Sequence, residues 1–159
     1  MKKLLSLVLL FAALSATAQK NLKFSIGAEL ASATGNLNKF YSFGVGATAQ
    51  VDYMVTNDLA LTGNAGVIEL VGRKIGGTNT KNRSNAVIPL LVGIKYYITP
   101  ALYGSGQLGT SVFSLGNGSV FTYSPGLGYK INSKIDALLK YTGYSSIGGT
   151  FGIRIGYSF

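Results

Sequence analysis

The sequence predicts an all-β fold: an eight-stranded antiparallel up-and-down transmembrane β-barrel behind a cleaved signal peptide. Three observations lead there. Apolar residues alternate with small or polar ones at period two over most of the chain, and no stretch after Gln19 keeps helical spacing. Charged residues make up 12% of the 159 residues while mean hydropathy is +0.33, against ~25% charge in ordinary soluble domains. Glycine supplies 22 residues, roughly twice its usual share.

The first 18 residues read as an export signal. Lys2 and Lys3 precede an apolar run from Leu4 to Leu14, and Ala16-Thr17-Ala18 supplies a small-residue cleavage site. That run is shorter than the ~20 residues a helix needs to cross a bilayer. No cysteine follows, so no lipoprotein anchor is expected. Residues 19–159 then form one barrel domain.

The first strand sets Phe24, Ile26, Ala28 and Leu30 against Ser25, Gly27 and Glu29. The second sets Phe43, Val45, Ala47, Ala49, Val51 and Tyr53 against Gly44, Gly46, Thr48, Gln50 and Asp52. Weaker alternation marks residues 59–71, 85–98, 101–114 and 135–144 as the third, fourth, fifth and seventh. The sixth alternates Phe121, Tyr123, Leu127, Tyr129 and Ile131 with Thr122, Ser124, Gly126, Gly128 and Lys130. The last is the cleanest, with Phe151, Ile153, Ile155, Tyr157 and Phe159 opposed by Gly152, Arg154, Gly156 and Ser158. Pro89 and Pro125 fall inside strands, where each removes a ladder donor, so bulges or fraying are expected. Connections at 54–58, 99–100 and 132–134 are short. Those at 34–42, 72–84, 115–119 and 145–149 are longer and rich in Gly, Asn and Ser, as in a membrane meander.

The apolar face must look outward. A soluble lipocalin-like barrel needs a charged exterior, yet the opposing faces are mostly Gly, Ser and Thr. An eight-stranded barrel has an interior just wide enough for side chains, and the Phe, Tyr, Ile and Leu of eight strands would overfill it. Aromatic residues also gather at strand ends. Phe24, Tyr53, Tyr96, Tyr97, Tyr103, Tyr129, Tyr157 and Phe159 lie beside the short turns; Phe40, Tyr41, Phe43, Phe113, Phe121, Tyr123, Tyr144 and Phe151 lie at the other ends. Two such rims predict the aromatic girdles of a membrane barrel.

The signal sequence, the alternating strands and the closing Tyr157-Ser158-Phe159 resemble small outer-membrane barrels of the OmpX/OmpA kind. The stretch Ile88-Pro89-Leu90-Leu91-Val92-Gly93-Ile94-Lys95-Tyr96-Tyr97 is most similar to PorT-like outer-membrane barrels. The resemblance implies export by the general secretion route to the outer membrane of a Gram-negative-type cell, and a monomer among lipid and lipopolysaccharide. It also implies that Tyr157 and Phe159 are read by the barrel-assembly machinery.

Chemistry has few carriers. The chain holds no histidine or cysteine, which excludes imidazole acid–base catalysis and thiolate metal sites. Its acids, Glu29, Asp52, Asp58, Glu69 and Asp136, are scattered, so no enzyme, cofactor or metal site is expected. Gly104-Ser105-Gly106-Gln107-Leu108-Gly109 matches G-x-G-x-x-G but continues as strand, which excludes a dinucleotide site. The 72–84 loop carries Arg73, Lys74, Lys81 and Arg83 without an acid, a solvated basic loop suited to lipopolysaccharide or an acidic surface partner. Nucleic acid is not an expected partner. By parity Glu29 and Arg154 face inward on neighbouring strands and are expected to pair, with Asp136, Lys140, Lys95 and Lys130 extending the network. The expected role is structural, surface-binding or adhesive, with the interior filled. A narrow pore or a lateral route for small apolar molecules is the alternative.

Overall fold

The computed structural model describes residues 21–74, 82–116 and 118–159. The signal segment 1–18 and Lys81 lie outside them. The strands are β1 (Leu22–Thr34), β2 (Tyr41–Met54), β3 (Leu59–Gly72), β4 (Asn85–Tyr97), β5 (Leu102–Phe113), β6 (Gly118–Lys130), β7 (Ile135–Tyr144) and β8 (Gly148–Ser158), with a 3-10 turn at Gly35–Lys39. Each pairs with its sequence neighbour, and β1 pairs antiparallel with β8 to close the barrel. The eight strands and their order follow the sequence reading.

Three connections, after β2, β4 and β6, lie with both described chain ends at one end of the barrel, hereafter the turn end. They share one construction. Val55, Ile98 and Ile131 each donate N–H to the carbonyl four residues on, at 2.8, 2.9 and 2.9 Å. The next side chain folds over the turn: Thr56 Oγ1 accepts from Leu59 N at 3.0 Å, Thr99 Oγ1 from Leu102 N at 2.9 Å, and Asn132 Oδ1 from Ile135 N at 2.8 Å. Hydroxyl or amide capping of its own turn is why these residue types stand there.

Two expectations need correction. At the opposite, loop end, the connections 114–117 and 145–147 are as short as the turns; only 35–40 and 73–84 are longer. The prolines produce no bulges, but the ladder is interrupted beside each, the other outcome expected there. The β3–β4 ladder keeps its register from Ala65↔Leu90 to Ile68↔Val87, and β6–β7 keeps it from Tyr123↔Gly143 to Gly126↔Lys140. A missing N–H opens a gap in the ladder without adding a residue. The register shift seen lies instead between Tyr41 and Phe43, on β2.

The outer surface is apolar all round. Leu30, Val45, Leu61, Val92, Leu108, Leu127, Leu139 and Ile153, one from each strand, are all 40–69% exposed. Soluble proteins rarely expose patches beyond a few hundred Å², so a continuous belt of this kind belongs in hydrocarbon. Glu69 is the one strand charge facing outward among the described residues, close to the loop end of β3.

Candidate functional site

The interior is layered. At the loop end Ala33, Leu37, Ile68, Leu70, Val87, Phe113 and Tyr144 pack into an apolar plug. Leu37, from the 3-10 turn, reaches down into it and is 2% exposed. At the turn end Ala60, Tyr97, Tyr103 and Leu138 form a second cluster. Between them lies a polar section of buried Ser, Thr, Asn and Gln threaded by ion pairs.

Of the sixteen rim aromatics, two at each end are buried inside the barrel, and Tyr41 packs half-buried against the loop-end plug. Tyr97 and Tyr103 pack with their rings tilted at 58° and centroids 5.5 Å apart, and Phe113 meets Tyr144 edge-on at 5.3 Å. Strand parity decides this: Tyr96 and Tyr97 are adjacent, so only one can face lipid. These four fill the barrel and do not belong to the girdles. Outward aromatics instead cover glycines. The Tyr123 ring lies over Gly143 and the Tyr141 ring over Gly149.

The structure places Glu29 and Arg154 opposite each other on β1 and β8, yet they form no ion pair. Glu29 Oε1 accepts from Lys140 Nζ at 2.8 Å and from Thr48 Oγ1 at 2.9 Å. Arg154 Nε donates to Thr48 Oγ1 at 3.0 Å, its Nη2 donates to Ser25 Oγ at 3.0 Å, and its Nη1 lies 3.8 Å from Asp136 Oδ1. Glycines explain the diversion. Gly27 and Gly156 face each other between β1 and β8, and the guanidinium lies across both; a Cβ on Gly27 would sit 2.5 Å from Arg154 Nε. The arginine therefore bends toward the turn end. Lys140, whose neighbour on β8 is Gly152, reaches Glu29 instead.

Asp52, outside the expected network although its parity faces inward, accepts from Lys95 Nζ at 2.7 Å and Gln50 Nε2 at 2.9 Å. Asp136 also accepts a hydrogen bond from the Tyr103 hydroxyl. Lys130 stands apart from these pairs. It lies half-buried at the turn-end mouth, its ammonium 3.9 Å from the centre of the Tyr97 ring.

At the loop end Arg73, Lys74, Arg83 and the neighbouring Lys39 are exposed. Arg73 is already used. Its Nη1 donates to the carbonyl and the side-chain oxygen of Asn38, each at 2.7 Å, and its backbone N–H donates to Phe40 O at 2.8 Å. It ties the 35–40 and 73–84 loops together. At the other end Tyr157 and Phe159 meet edge-on at 5.4 Å, and Phe159 N donates to Phe24 O at 3.0 Å. Among the described residues no three acid, histidine or cysteine side chains converge as metal ligands.

A family model for the outer membrane protein beta-barrel domain matches residues 4–159. Among solved structures the chain is similar to the Yersinia pestis outer membrane protein Ail in a phospholipid bilayer nanodisc, with TM-score 0.59, 18% identity, and coverage of 86% of this chain and 99% of that one. A de novo designed transmembrane β-barrel gives TM-score 0.59 and 18% identity over 89% of this chain and 98% of the design. A crystal structure of Ail with the heparin analogue sucrose octasulfate gives TM-score 0.52 and 18% identity over 87% and 97%. At such identities the likeness is one of fold. No curated protein matches by sequence. A family match over almost the whole chain, a closed eight-stranded meander and an apolar belt around its outside make this chain a member of the outer-membrane β-barrel protein family, resident in the outer membrane of a Gram-negative-type cell.

Proposed function

We propose that this protein is a sealed barrel that acts through its ends, as a non-enzymatic surface protein and not as a conduit. The observation that carries this reading is the loop-end plug, in which Leu70 and Val87 are wholly buried and Leu37 almost so. Water and ions cannot cross an apolar layer packed to that degree without displacing it. The five acids also support a non-catalytic reading. Glu29, Asp52 and Asp136 are bound in ion pairs, Glu69 faces outward, and Asp58 sits in an exposed turn.

The loop end then faces the outside, by the rule that short turns and chain ends of such barrels lie in the periplasm. Lys39, Lys74 and Arg83 offer positive charge there, and the matching ligand is the phosphate-bearing lipopolysaccharide of the same leaflet or an acidic surface partner. The crystal structure of Ail, a barrel of this fold, in complex with the heparin analogue sucrose octasulfate supports an anionic ligand in this reading. The same reading takes residues 1–18 as a removed export signal, Tyr157 and Phe159 as contacts for the assembly machinery, and the working form as a monomer.

The test is single-channel recording of the refolded protein in a planar bilayer, alongside binding to lipopolysaccharide. Closed traces, and binding weakened by Lys39→Gln with Lys74→Gln and Arg83→Gln, are expected. A steady open current through the unmodified protein would replace this reading with the pore.

A further inference from the structure

The turn-end mouth holds a small cavity, about 30 Å³, reached by three lysines from separate parts of the chain: Lys23 on β1, Lys130 at the end of β6, and Lys134 in the turn before β7. The two carboxylates that border it are already neutralised, Asp52 by Lys95 at 2.7 Å and Asp136 by Arg154 at 3.8 Å. Among the described residues Lys23, Lys130 and Lys134 have no carboxylate partner. The remaining groups around the cavity are mainly donors. The Asn132 side-chain oxygen is used by Lys134 N and Ile135 N at 2.8 Å each, which leaves its amide N–H₂. The hydroxyls of Ser133 and Ser158 complete the wall.

Lys23 and Lys130 bring like charges to one cavity, and Lys134 stands at its rim with its ammonium beside the outward-facing Tyr157; like charges so placed repel one another, and an anion joining them relieves that repulsion. Lys130 is held in place by the Tyr97 ring, 3.9 Å away, a contact that fixes an ammonium without neutralising it. We propose that this mouth is an oxyanion-binding site whose ligand is a phosphate group. A doubly charged tetrahedral anion matches three lysine point charges better than a planar carboxylate, which favours the paired N–H groups of arginine. The cavity is small and opens at the mouth, so the rest of the ligand projects into the periplasm. The phosphate comes either from a soluble phosphate ester or from a lipid headgroup of the inner leaflet, toward which Lys134 already extends, with its Nζ 3.4 Å from the Tyr157 hydroxyl.

The test is NMR of the ¹⁵N-labelled protein refolded in zwitterionic micelles and titrated with inorganic phosphate, sodium chloride holding the ionic strength constant. Saturable shifts are expected at the amides of Lys130, Ser133 and Lys134, and not at Asn57. Lys130→Gln should weaken binding about tenfold, and adding Lys134→Gln by a similar factor, since each removes one charge-assisted contact. Heat-dependent migration on SDS gels checks that both variants fold. Asn57→Ala, in the exposed turn after β2 and away from the cavity, should leave the titration unchanged. Shifts that fail to saturate, that chloride or acetate reproduces at equal concentration, or that persist in the double variant would overturn the site. Repeating the titration in nanodiscs of phosphatidylcholine and of phosphatidylglycerol assigns the source: competition by the anionic lipid identifies the headgroup, and equal affinity in both identifies a soluble phosphate.

Discussion

At the scale of the residue, glycine decides which charges meet. Gly27 and Gly156 leave room for Arg154 to lie flat toward the turn end, and so free Glu29 for Lys140. Gly27→Ala should therefore destabilise the barrel by about 1–3 kcal/mol, the usual cost of overpacking. Gly104→Ala, where nothing lies within 4 Å of the new methyl, should cost far less; urea titrations of the two variants compare them directly. The ion pair gives a second check. Lys140→Met should cost about 3–5 kcal/mol by leaving Glu29 buried without its cation, and Glu29→Gln with Lys140→Met should recover part of that. A cycle built on Glu29 and Arg154 should show weaker coupling, carried only through Thr48. Parity along each strand was enough to say that Glu29, Arg154, Asp136 and Lys140 face inward. It could not name partners, because a long side chain on a narrow wall goes where a neighbouring glycine leaves space.

At the scale of the element, period two made the strands legible and the turns carried a signal of their own. Val55-Thr56-Asn57-Asp58-Leu59, Ile98-Thr99-Pro100-Ala101-Leu102 and Ile131-Asn132-Ser133-Lys134-Ile135 repeat one pattern, β-branched residue, hydroxyl or amide, two variable residues, then Leu or Ile. Reading that repeat would have fixed all three turns, since the second residue caps the fifth in each. Thr56→Val, Thr99→Val and Asn132→Leu keep the shape but lose the acceptor. By analogy with helix caps each should cost about 0.5–2 kcal/mol, measured by urea unfolding in lipid vesicles. The aromatic rims were only half legible for a related reason. Height along a strand comes from sequence position, but facing comes from parity, and Tyr97, Tyr103, Phe113 and Tyr144 have inward parity. Orientation of the wall is tested at β8: Ile153 faces outward and Arg154 inward. Ile153→Arg should cost about 2–4 kcal/mol in a bilayer, against about 0–1 for Ser158→Arg near the interface. Equal costs would mean that inside and outside are exchanged.

At the scale of the molecule, closure and filling act together. Pairing β1 with β8 removes the free edges from which a sheet unzips, while the apolar plug fills one end and the buried ion pairs tie together strands that are not direct neighbours. Lys140 on β7 holds Glu29 on β1, and Lys95 on β4 holds Asp52 on β2. Fold and location could be read from the sequence because both follow from which face is apolar, a property every strand repeats. The ligand could not, because it depends on a few charges at the mouths whose grouping appears only once the barrel closes. Which mouth meets the outside follows from strand number. Eight strands return both chain ends to the side of the three capped turns, so that side is periplasmic if the chain enters the membrane as other barrels do. A cysteine in place of Ser146, in the exposed loop-end turn between β7 and β8, should react with a membrane-impermeant maleimide on intact cells. One in place of Asn57, in the exposed turn after β2, should react only after the outer membrane is opened. Because the chain contains no other cysteine, each signal reports a single position. The opposite pattern would place the basic loops in the periplasm and the lysine mouth outside, exchanging the surroundings of the two anion-binding ends while leaving the fold intact.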